Sequence, residues 1–169
     1  CIVKIRFCLL NDGFPFVVLS YFHMQNEVQK TIERLAALTK LIHGWTAPEE
    51  LAFLYQTARF LKERGAIVEI GSWRGRSTVC LAEGARQGGR AEVYAIDPFT
   101  GGSENQGPGL EVWTLDDFQN NLTKAGVRNI VEAIVATSES AAKEWDKPIA
   151  FLFIDGAHEY EAAEKDFLL

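Results

Sequence analysis

The sequence has too few cysteines to build a disulfide framework. There are three (Cys1, Cys8 and Cys80), an odd number with no paired CxxC spacing. A structural zinc site is disfavoured for the same reason, and a reducing, cytoplasmic setting fits better. Cys80 falls on an apolar stretch and reads as a small core residue rather than a nucleophile. Basic charge is also scarce. Seventeen Lys and Arg stand against 23 Asp and Glu, for a net charge of −6, which is poor equipment for a nucleic-acid backbone. No apolar run reaches the ~20 residues that a membrane span needs. Lys4 and Arg6 precede an apolar run, so a signal peptide is conceivable, but no clean small-x-small cleavage site follows. Internal repeats and low-complexity segments are absent. These gaps leave a small molecule as the expected partner, without nucleic acid or membrane.

What is present is an ordinary globular composition: 169 residues, 47% hydrophobic and 24% charged, enough for one domain with a buried core. The only methionine is Met24. It reads as the natural start, with residues 1–23 as upstream or irregular sequence. The apolar N-terminal segment could cover the surface of a second copy, as in a homo-oligomer. The last residues, Asp166 to Leu169, fall inside an apparent helix.

Periodicity gives the organisation. Val28, Ile32, Leu35, Leu38, Leu41 and Ile42 recur at helical spacing, so residues 24–45 are expected to form an N-terminal helix stopped by Gly44. Thr46-Ala47-Pro48-Glu49 has the pattern of a capping box with proline in the first turn, and a second helical stripe follows to Gly65. Residues 66–70, 92–96, 129–136 and 149–154 are short apolar runs that read as strands. Helical stretches at about 75–85, 114–125, 138–145 and from 159 alternate with them. Such alternation predicts an α/β fold, a Rossmann-like, doubly wound parallel sheet with helices on both faces. A complete sheet of that kind carries two or three more strands, so the sheet is expected to be incomplete, with residues 46–169 as its domain. A ligand would sit beyond the carboxyl ends of the strands, where strand order reverses.

The strongest local signal is Glu69-Ile70-Gly71-Ser72-Trp73-Arg74-Gly75-Arg76-Ser77, directly after a predicted strand and opening a helix. Glycine at 71 and 75 lets the backbone turn sharply and pass close under a ligand, and the helix start aims free N–H groups at it. Alone, this could be a tight strand-to-helix turn that needs glycine for geometry. Asp97, 26 residues after Gly71, ends the next predicted strand, where an acid accepts hydrogen bonds from ribose hydroxyls. Its plainer role is to open the Asp97-Pro98 turn. A dinucleotide fingerprint would need glycine at 73 and 76, which are Trp73 and Arg76, so a pyrophosphate turn is disfavoured. Asp155 and His158, three residues apart after the fourth strand, could accept a proton from a hydroxyl or bind a divalent metal.

Three segments, Val68–Thr78, Ala95–Phe99 and Phe153–Tyr160, resemble successive motifs of class I methyltransferases, and most of all the branch of small-molecule and sugar O-methyltransferases. The resemblance implies S-adenosylmethionine as cofactor. It implies that Glu69, Gly71 and the Ser72–Ser77 turn, with Ser72, Gly75 and Ser77 in it, hold the methionine end and that Asp97 holds the ribose. Ser138 would contact the adenine, with Thr137 and Glu139 as neighbours, and Trp73 would shield the sulfonium or pack as a core ring. His158 or Asp155 would be the catalytic base, and Asp155 would be a ligand if Mg2+ takes part. The acceptor pocket would be built from the N-terminal helices, the loop from Phe99 to Val112 and later strands. Two other readings stay open: an NAD-dependent oxidoreductase on a similar sheet, and a cofactor-binding domain without turnover.

Overall fold

The computed structural model describes residues 16–90, 92–101, 112–156 and 160–168, with side chains described from Gln25 onward except those of Tyr160, Ala162 and Ala163. Two helices, α1 (Phe16–Thr39) and α2 (Pro48–Phe60), come first. Strands and helices then alternate: β1 (Ala66–Ile70), α3 (Arg76–Gln87), β2 (Val93–Asp97), α4 (Leu115–Lys124), β3 (Val131–Val135), α5 (Ser138–Glu144), β4 (Ile149–Ile154) and α6 (Tyr160–Leu168). The four strands form one parallel sheet in the order β3-β2-β1-β4. The expected α/β class and parallel sheet are therefore observed. After β3 the chain returns across β2 and β1 to place β4 on the other side of β1, so strand order reverses between β1 and β4. That reversal opens a crevice beyond their carboxyl ends.

Each central strand feeds two cores because successive side chains point to opposite faces. Ile67, Val93 and Ala95 pack with Leu54 and Ala58 of α2, with Val79, Leu81 and Ala82 of α3, and with Phe118 and Leu122 of α4. The alternate residues Ala66, Val68, Tyr94 and Ile96 face the other way, against Ala141 of α5 and Trp145. The sheet is thus covered on both faces. Full burial of side chains such as Ile67, Leu81 and Phe118 contributes roughly 1.5–3 kcal/mol each.

The N-terminal region departs from the sequence reading. Helix α1 already runs from Phe16, inside the segment expected to be irregular, and residues 1–15 lie outside the described ones. Residues 16–24 contain neither proline nor glycine, so nothing there breaks a helix. The helix also stops at Thr39, short of Gly44. The Thr39 hydroxyl bonds back to the Leu35 carbonyl, and the chain leaves in a turn with Ile42 N–H donating to Thr39 O. Leu41, expected on the inner stripe, is 94% exposed as a result. The capping box is shifted by one residue. Ala47 occupies the cap position, and Glu50 rather than Glu49 accepts the Ala47 N–H, at 2.8 Å.

Candidate functional site

The turn after β1 is built against the end of β4. Gly71 donates its N–H to Ile96 O of β2 at 2.9 Å, and Asp155 N–H donates to Ile70 O at 2.8 Å. Gly71 has φ +85, and a Cβ there would stand 2.4 Å from the Asp155 carbonyl oxygen. Glycine is therefore required by strand packing before any ligand arrives, a cause that differs from the expected close approach to a ligand. Gly75, at φ +86, caps α3, and a Cβ there would press on the Phe118 ring at 2.9 Å.

Asp97 holds this turn in shape. Its Oδ2 accepts the N–H groups of Ser72 and Trp73, both at 2.7 Å, while Oδ1 accepts from Phe99 N–H at 2.5 Å. The carboxylate is 8% exposed. One side chain thus joins the turn after β1 to the turn after β2, and its Asp-Pro turn role is realised together with a cross-strand one. Trp73, gripped in this way, adopts φ +48 and Phe99 adopts φ +58, sparsely populated values that only a well-determined surrounding sustains.

Glu69 lies beneath the turn, fully buried at 0% exposure. Burial pushes its carboxyl up from 4.5 to about 7, against the pull of the Ser77, Thr78 and Ser72 hydroxyls. Of these, Thr78 makes a complete hydrogen bond, to Oε2, and Oε1 is left without a partner. The Ser72 hydroxyl is likewise buried and makes no complete hydrogen bond. Cys80, one turn along α3, is buried and its thiol is pushed up to about 12 by desolvation, as an inert core residue.

A cavity of about 850 Å³ opens at the strand-order reversal. Gly71, Ser72, Trp73, Ser77, Asp97, Ser138 and Asp155, all anticipated from the sequence, line it together. Glu69 and Gly75 do not; they support the turn from below. His158 lies outside the described residues, as does most of the loop from Phe99 to Val112. At one end Ser138 donates to Asp166 of α6, and Glu139 pairs with Lys165 at 2.6 Å, so α6 is tied across the start of α5. At the other end stand His43, Trp45, Glu50 and Phe53 from the connection between α1 and α2 and from α2 itself. Arg76 joins the two regions: its Nη1 donates to Gly44 O at 3.2 Å, and its Nε is buried without a partner.

Sequence reasoning named the N-terminal helices as a wall but not His43, Trp45, Lys165 or Asp166, and it included Arg76 only as part of the Ser72–Ser77 turn. The signal available for Trp45 was a large ring in a turn beside Gly44. For Arg76 it was a long cation at the first position of α3, where charge opposes the helix dipole unless it is used elsewhere. Among the described residues, no three His, Cys, Asp or Glu side chains converge as a metal site. No helix among them is long and apolar enough to cross a membrane.

Comparison with known proteins agrees with this geometry. Structurally similar solved proteins include cofactor-bound Rv0187 from MTB, with TM-score 0.56, 22% identity, and coverage of 93% of this chain and 67% of that one. Another is the SAH-bound methyltransferase PaMTH1 of Podospora anserina, at TM-score 0.58 and 18% identity, covering 94% of this chain and 67% of that one. The O-methyltransferase of Bacillus cereus in complex with SAH aligns at TM-score 0.50 and 24% identity, over 82% of this chain and 60% of that one. At these identities the likeness establishes the fold. The sequence pattern of a family described as a methyltransferase domain matches residues 68–169. That match spans more than half of the chain and contains the turn after β1, Asp97 and the end of β4, and the protein belongs to this methyltransferase-domain family.

Proposed function

We propose that the chain binds S-adenosylmethionine in the crevice between β1 and β4 and directs its methyl group to a hydroxyl of a small molecule. The observation that carries this reading is the turn after β1. It is locked by two hydrogen bonds to Asp97, which a third ties to the turn after β2, and it faces a cavity large enough for a cofactor and an acceptor. The residues present fit the cofactor. Ser72 offers a buried hydroxyl that makes no complete hydrogen bond in the chain, and Ser72 and Ser77 both line the cavity. When bound, the cofactor would supply a methyl group on a positively charged sulfur, open to displacement by an oxygen nucleophile.

The residues divide the remaining work. Ser72, Ser77 and the start of α3 would hold the methionine end, with Trp73 beside the sulfur. Three of the roughly four acceptor positions of the Asp97 carboxylate are already used inside the chain, leaving one for a ribose hydroxyl. Ser138 and Glu139, positioned by Asp166 and Lys165, stand at the end assigned to adenine. Asp155, at the mouth of the crevice, would take the acceptor's proton, with His158 the other candidate base. Asp155 alone is too small a donor set for Mg2+, so no step is assigned to a metal. A cytoplasmic setting is proposed from the scarcity of cysteine. Competitive titration tests the reading: S-adenosylhomocysteine should bind saturably, and NADH fluorescence should not change. NADH binding without S-adenosylhomocysteine binding would replace this reading with the oxidoreductase.

A further inference from the structure

The part of the cavity rim supplied by α2 and the connection before it is aromatic. The rings of His43 and Trp45 meet edge to face at 5.1 Å between centroids. Trp45 and Trp73 lie 6.2 Å apart at 40°, and His43 and Trp73 6.4 Å apart at 59°. Trp45 is 70% exposed and Phe53 66%, yet both face the cavity. Large rings left in water forgo the stabilisation that burial would give, so a grouped set lining a cavity is suited to a ligand that covers it. Trp73 also belongs to the turn that would cradle the cofactor, so the ring array begins where that cradle ends.

The polar groups at this rim are mostly committed within the chain. The indole N–H of Trp73 donates to His43 Nδ1 at 3.3 Å, which places the proton of the neutral imidazole on Nε2. Arg76 Nη1 donates to the carbonyls of Ile42 and Gly44, while its buried Nε is without a partner. One Glu50 oxygen accepts from Ala47 N–H. A sugar presents hydroxyls on every side and would find few partners here. A flat arene asks for ring faces and one or two polar contacts, and those are what the rim offers.

We propose that this rim is the acceptor subsite and that it takes a flat hydroxylated aromatic compound. Its ring stands against Trp45 and Trp73, and its hydroxyl lies within reach of the Nε2–H of His43. The purpose of the subsite rests on the methyl-transfer reading, whereas its binding chemistry does not.

Calorimetric titration of the full chain with naphthol and, separately, with a methyl glucoside tests the proposal. Each titration is run with and without S-adenosylhomocysteine. Naphthol should bind saturably and the glucoside should not. Trp45→Ala should weaken naphthol binding roughly tenfold, and Trp45→Phe should restore most of it, as expected for loss and return of a ring contact. Phe60→Ala removes a ring that is 65% exposed but away from the cavity, and should change nothing. Trp45→Ala should stay folded, with a thermal midpoint close to that of the wild type, and Phe60→Ala should keep the wild-type S-adenosylhomocysteine affinity. Glucoside binding in place of naphthol, no saturable naphthol binding, or naphthol affinity insensitive to Trp45→Ala would overturn the subsite. If S-adenosylhomocysteine fails to bind while naphthol binds through Trp45, the cofactor reading falls and the aromatic subsite stands.

Discussion

Two neighbouring regions of the crevice are built on opposite plans. At the turn after β1 almost everything is spent inside the protein: Glu69 is 0% exposed, Ser72 2% and Asp97 8%, and the backbone N–H groups of Ser72 and Trp73 are held by Asp97. At the aromatic rim, Trp45 and Phe53 present more than half of their surface to solvent. The first region is rigid before any ligand arrives, as recognition of an invariant cofactor favours. The second holds its contact surface in reserve. Damage should therefore read out as lost stability at the turn and as lost ligand affinity at the rim.

Gly71→Ala should break the contrast hardest. The added Cβ would stand 2.4 Å from the Asp155 carbonyl at φ +85, forcing β1 and β4 apart. A loss of ~3 kcal/mol or more in urea unfolding is expected, by the combined cost of a clash and a strained backbone. A near-native midpoint would show that the strand ends are looser than the packing implies. Asp97→Ala strips three N–H groups of their acceptor and should cost ~2–4 kcal/mol while weakening S-adenosylhomocysteine binding; Asp97→Asn, keeping one carbonyl oxygen, should fall between.

Glu69 sharpens the comparison through pH. Its folded carboxyl at about 7 lies above the ordinary 4.5, so the folded state binds the proton more tightly than the unfolded one. The associated stability is fully present below about pH 4.5 and lost as pH rises through about 7. Across that window the total change is on the order of 3 kcal/mol. Glu69→Gln should remove this part of the pH dependence, seen as thermal midpoints that diverge from wild type in favour of the variant between pH 5 and 8. Equal slopes would place Glu69 in a wetter setting than its burial indicates. Smallest of all, Trp45→Ala should move stability by less than ~0.5 kcal/mol, as at other exposed positions.

The sequence carried the cradle far better than the rim, for physical reasons. Strand periodicity, glycine at a turn and an acid at a strand end are local patterns, and residues 66–77 and 97 show them directly. Even there the reason for Gly71 lay elsewhere, in the carbonyl of Asp155, 84 positions along the chain. Asp155 was named from its place after a strand and Ser138 from the family resemblance, whereas the tie from Ser138 to Asp166 depends on α6 packing beside the start of α5. The cluster of His43, Trp45 and Trp73 has no spacing rule at all. It forms because α1 ends at Thr39 rather than at Gly44, and no pattern in residues 26–43 announces that stop.

The most direct test of the central claim is calorimetric titration of S-adenosylhomocysteine into the full chain, beside Asp97→Asn verified as folded by circular dichroism. Saturable binding at one site per chain, weakened in the variant, is the expected result. No heat of binding in the folded wild-type chain, or affinity indifferent to Asp97→Asn, would contradict a cofactor cradle locked by Asp97.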